Sequence, residues 1–215
     1  MILGVYYASL GYKFWNINLW GVGFLTIFTV VFFLMNSYNL DIWWFNAIIA
    51  IVIGSLFSWI LYCFKKSLYF VLGFNCGFLL SVQLIGGFIP LVWNPSYLII
   101  ILWCFSIFFG ICYGVLSTYL TLQPNMQQKY ISIFNTSIFG GYLFIIGLDY
   151  FSEDGYAAIL PSMFDGDIVL IYPWFVSLVF LMVWILMSVF GAGIQRMIIS
   201  SRTFYYKPKS NIDYV

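Results

Sequence analysis

Six runs of 19 to 27 residues, at 17–35, 43–64, 68–89, 97–122, 130–148 and 168–194, are overwhelmingly apolar and carry no charge at their centres. At 1.5 Å per residue, a helix of that length crosses a hydrocarbon core about 30 Å thick. The chain therefore reads as an all-α polytopic transmembrane helix bundle, a single integral membrane domain over 1–215. Composition agrees, because 64% hydrophobic and 7% charged residues lie far from a soluble domain, where roughly a quarter are charged.

The few charges fix the weave. Lys13, Lys65, Lys66, Lys129, Arg196, Arg202, Lys207 and Lys209 fall in alternate connections, whereas Asp41, Asp149, Glu153, Asp154, Asp165 and Asp167 fall in the others. Only Asp213 in the tail breaks the segregation. By the positive-inside rule the basic connections and the C-terminus face the cytoplasm, or the matrix if the membrane is mitochondrial. Residues 1–12 are too short for an ordinary crossing. They read as a half-span, a strained short seventh span or an interfacial anchor.

Aromatic residues gather at the ends of the runs: Trp15 and Trp20, Trp43 and Trp44, Trp93, Tyr172 and Trp174, Tyr205 and Tyr206. Amphipathic rings favour the bilayer interface, so these read as belts. Small residues recur every four positions. Gly73 with Gly77 and Gly110 with Gly114 are the candidate helix-packing or partner-interface residues; Ala50, Gly54 and Ser58 form another stripe, and Thr136 with Gly140 a third.

Chemistry has little to work with. Histidine is absent, glutamate occurs once, and no acid–base pair, metal-ligand set or haem ligand pair is visible, so neither enzymatic activity nor a cofactor is expected. Cys63, Cys76, Cys104 and Cys112 form no paired motif and read as buried small apolar residues. Asn75, Gln83 and Asn135 could line a polar track, although interhelical hydrogen bonding is the simpler use of such residues. Asp165-Gly166-Asp167 matches no calcium loop, and the acidic connection 149–167 reads as a solvated loop or a docking surface. Asp213-Tyr214-Val215 is only a loose match to carboxylate-captured tails. No basic stretch is dense enough for nucleic acid.

The order of several stations resembles the transmembrane protein 198 family. They are Gly11-Tyr12-Lys13, Lys65-Lys66, Gly73 with Gly77, Asp149-Tyr150-Phe151, and Tyr172-Pro173-Trp174. The resemblance implies a seven-pass domain and a free-standing scaffold role. The chain departs from that pattern in its short first segment and in lacking the family's long basic tail. Apart from the resemblance, 24 Phe and 17 Tyr beside few Ala suggest an AT-rich coding background, as in many organellar or protist genomes. The leading expectation is thus a structural or accessory subunit of a larger membrane assembly, such as a mitochondrial inner-membrane respiratory complex. Its partners would be other membrane subunits and structural lipids. A free-standing scaffold and a small channel or transporter are the alternatives.

Overall fold

The computed structural model describes residues 1–37, 43–88, 95–122, 126–152 and 174–205. These form seven helices: α1 (Ile2–Leu10), α2 (Trp15–Ser37), α3 (Trp43–Cys63), α4 (Lys65–Phe88), α5 (Pro95–Leu122), α6 (Met126–Ser152) and α7 (Trp174–Tyr205). All but α1 are long and apolar enough to cross a membrane, which makes this a multi-pass integral membrane protein.

Local chemistry sets several boundaries. Pro95 opens α5, where a missing N–H costs nothing because the first helical donors have no partner anyway. Phe64 alone separates α3 from α4: its N–H donates to Leu61 O at 3.0 Å and its carbonyl accepts from Ser67 N at 2.8 Å. That tight turn brings Lys65 and Lys66 into the first turn of α4, whereas the apolar run alone starts at 68.

Neighbouring long helices run antiparallel. Ser58 lies by Trp20 and Gly54 by Phe24 across α2–α3; Gly73 lies by Ser117 and Gly77 by Tyr113 across α4–α5. Across α6–α7, Thr136 meets Gln195. Lys13, Lys65, Lys66, Lys129 and Arg196 consequently gather at one end of the bundle, called the basic end below. The two inner helices are α4 and α6. Of the apolar window in each, 56% is buried, against 22–28% in the other four crossing helices. They are also the least apolar of the six, since a helix shielded from lipid can carry hydrogen-bonding side chains.

Three expectations need correction. The last span is expected at 168–194; residues 168–173 lie outside the described residues, and α7 continues past 194 to Tyr205. The continued helix carries Gln195, whose side chain is hydrogen-bonded inside the bundle. Asp149 was placed at the exit of a span ending at 148; α6 continues to Ser152, and Asp149 is only 3% exposed. Finally, Cys63, Cys104 and Cys112 are exposed on the outside of the bundle, and only Cys76 is buried. An apolar thiol is as well solvated by lipid as by a core, so residue type alone did not choose between them.

Several expectations fall on other residues. Asp41, Trp93, the loop acids Glu153, Asp154, Asp165 and Asp167, Tyr172, Tyr206, Lys207, Lys209 and the Asp213-Tyr214-Val215 tail lie outside the described residues.

Candidate functional site

Residues 2–10 form a nine-residue helix, about 14 Å long at 1.5 Å per residue. It is not a free end but a packed helix. Gly4, Tyr7 and Ala8, spaced three and four apart, are buried against α6 and α7. Along α6, Met1 sits by Gly147, Gly4 by Phe144, Ala8 by Gly140 and Gly11 by Thr136, so α1 runs antiparallel to its neighbour. The approach is backbone to backbone. A methyl group on Gly4 would strike the Phe144 backbone, one on Gly140 the Ala8 backbone, and one on Gly191 of α7 the Ala8 carbonyl. Glycine walls this slot on both sides.

An α-helix leaves its last carbonyls without internal partners, and α1 ends buried against the middle of α6. Polar side chains from three other helices supply what is missing. Gln195 Nε2 donates to Ala8 O at 2.7 Å and to Tyr7 O at 3.3 Å. Its Oε1 accepts from Tyr12 N at 2.9 Å and from Thr136 Oγ1 at 3.2 Å. Asn18 Nδ2 donates to Gly11 O at 2.6 Å, and Ser137 Oγ to Ala8 O at 3.4 Å. One amide, 2% exposed, therefore ties α1, the 11–14 turn and α6 to α7. Every participant is a neutral amide, hydroxyl or peptide group, and the bonds fix the backbone at the end of α1.

Two further polar nodes hold the inner helices. Asn135 Nδ2 donates to Ser117 Oγ at 2.6 Å, its Oδ1 accepts from Tyr113 at 2.8 Å, and its backbone carbonyl accepts from the Cys76 thiol at 3.2 Å. That single residue joins α4, α5 and α6. Asn75 Nδ2 donates to Thr26 Oγ1 at 2.7 Å and to Val71 O at 2.8 Å, joining α4 to α2. Gln83 hydrogen-bonds the Tyr142 hydroxyl, leaving its Oε1 buried without a partner. Asn75, Gln83 and Asn135 thus serve separate helix contacts and do not share one track.

The four glycines singled out by spacing meet each other. A Cβ on Gly73 would lie 2.6 Å from Ser117 Cβ and 3.1 Å from Gly114 Cα; one on Gly77 would lie 2.7 Å from Tyr113 Cβ and 3.3 Å from Gly110 Cα. Phe70 and Phe74 lie over Gly114 and Gly110, each ring 2.9 Å from the missing methyl. These positions line the α4–α5 seam of the chain itself. Gly54 likewise receives Phe24 of α2, and Ala50 is fully buried. Of the expected aromatic belt, Trp15 packs on Tyr69 with ring centroids 5.9 Å apart, Trp20 stacks on Phe24 at 5.5 Å, and Trp44 is exposed.

Sequence reading missed the α1 slot. Gly4 and Ala8 are spaced four apart, a usable signal, but the segment is too short to mark it as a packed helix. Gln195 lay just past the expected end of its span, and Asn18 close to the start of another. Neither position gives away a capping role.

The model of one protein family, the TM7S3/TM198-like domain, matches residues 1–196, a stretch that includes α1, the Gly11-Tyr12-Lys13 turn and Gln195. No curated protein and no solved structure matches the chain.

Proposed function

The chain belongs to the TM7S3/TM198-like family, and on that premise we propose that it is a non-catalytic membrane scaffold that acts through its helix faces and basic end. The observation that carries the reading is the use of its buried polar side chains. Gln195, Asn135 and Asn75 each hydrogen-bond across helices, which supports a polar framework for a fixed shape over a polar path for a solute. Large apolar side chains such as Phe57, Trp59, Phe108 and Tyr119 are exposed on α3 and α5, and there they meet lipid or the helices of partner membrane proteins. By the positive-inside argument, the basic end and C-terminus lie in the cytoplasm, or in the matrix for a mitochondrial inner membrane.

The test is reconstitution of the full chain into liposomes, paired with native electrophoresis after mild-detergent extraction. A scaffold gives no solute flux above protein-free vesicles and migrates as a unit of its own size or with client proteins in variable ratio. Flux abolished by Asn135→Leu would replace this reading with a channel or transporter. Fixed-ratio migration within a respiratory assembly would replace it with the accessory-subunit role, a reading supported by the Phe- and Tyr-rich composition alone.

A further inference from the structure

A groove of about 470 Å³ opens between α6 and α7 at the basic end, lined chiefly by Tyr130, Ile131, Phe134, Gly193 and Arg196. That volume is within the range of about 300–1,000 Å³ typical of ligand sites. Its floor is apolar and its rim is cationic. The Arg196 guanidinium carbon lies 5.9 Å from the centre of the Tyr130 ring, and Lys129 immediately precedes that ring. A ring face attracts the cation without taking up the planar fork of N–H donors that matches a phosphate. Gly193 forms a notch in the wall: a Cβ built there meets no atom within 4 Å. This sets it apart from Gly191, two residues earlier, which is pressed against α1.

We propose that this groove holds one anionic glycerophospholipid, its phosphate on Arg196 and an acyl chain along Ile131, Phe134 and the Gly193 notch. Charge complementarity selects the occupant. The groove lies between two membrane-crossing helices, so lipid is the molecule it meets, and the exposed Arg196 at its end favours a headgroup with net negative charge. Within the groove a chain meets fixed Ile and Phe side chains of α6 on one side and Ala192 and Gly193 of α7 on the other, giving dispersion contacts beyond those of fluid lipid.

The full chain is purified in mild detergent and titrated with phosphatidylglycerol or phosphatidylcholine, and native mass spectrometry counts bound lipid. Phosphatidylglycerol should be retained in preference to phosphatidylcholine. Arg196→Gln should cut that preference about fivefold, the factor expected of one basic side chain at a bilayer surface, and Arg196→Lys should restore most of it. Gly193→Leu extends a side chain into the notch, where a Cβ meets no atom within 4 Å, and should lower retention of both lipids. Equal retention of the two lipids by the parent protein overturns the proposal, and so does preference unchanged in Arg196→Gln. A dimer that Gly193→Leu separates would assign the groove to a second copy of the chain and equally overturn it. Because Arg196 is exposed, its variants leave the packed interior untouched, and the readout holds even if Gly193→Leu lowers thermal stability.

Discussion

The α4–α5 seam and the α1 slot both depend on glycine, but they solve different problems. Along α4–α5 two long helices lie close over many turns, and Phe70 and Phe74 cover the spaces that Gly114 and Gly110 leave open. The long helices can rely on such contacts because most of their backbone groups are satisfied internally. In the slot, a nine-residue helix meets two others backbone against backbone, and its final carbonyls lie where water is scarce. The turn that follows pairs Tyr7 O and Leu10 O, while Gln195 and Ser137 supply donors to Ala8 O and Asn18 one to Gly11 O. Between α4 and α5 the direct contact is one of shape, with Asn135 of α6 hydrogen-bonding both helices from the side, whereas the short α1 helix is held by hydrogen bonds to its own backbone.

Substitutions ordered by expected effect probe that difference. Gly140→Leu should be the most damaging, since its side chain has to displace the backbone of Ala8. A loss of about 3 kcal/mol or more is expected in detergent unfolding, together with thiol labelling of an Ala8→Cys probe that is protected in the parent. Unchanged protection would show that α1 is not seated in this slot.

Gly77→Leu strikes the seam, where the Tyr113 side chain can yield more readily than backbone, although Phe109 O at 3.1 Å limits the adjustment. About 2 kcal/mol is expected, with the Ala8→Cys probe still protected. Labelling that rose as sharply as in Gly140→Leu would mean that seam and slot form one cooperative unit.

Gln195→Leu keeps the bulk but strips Tyr12 N of its partner and leaves Ala8 O only the long bond from Ser137 Oγ. The expected loss is about 1–2 kcal/mol, with faster labelling at position 8. Combined with Gly77→Leu the losses should add, because distant, unshared sites behave independently. Asn75→Leu, which removes a single interhelical bond to Thr26, should cost least, about 0.6 kcal/mol, with no change in labelling. A larger cost than that of Gln195→Leu would reverse the ranking of the two polar contacts.

Much of the fold was legible because lipid imposes simple demands. Length and apolarity alone marked six crossings, since a helix with satisfied backbone bonds is the economical solution for each run, and the segregated charges gave alternate direction. The four-residue spacing of Gly73, Gly77, Gly110 and Gly114 marked close helix approach, but spacing could not name the opposite wall. In lipid, apolar faces inside and outside look alike, so the exposure of Cys63, Cys104 and Cys112 was hidden from composition, and the lower hydropathy of α4 and α6 was a faint trace of their central position. The burial of α1 and the capping role of Gln195 were decided only in three dimensions. Each depends on residues about 130 to 190 positions apart, joined at the basic half of the bundle by contacts that no local pattern encodes.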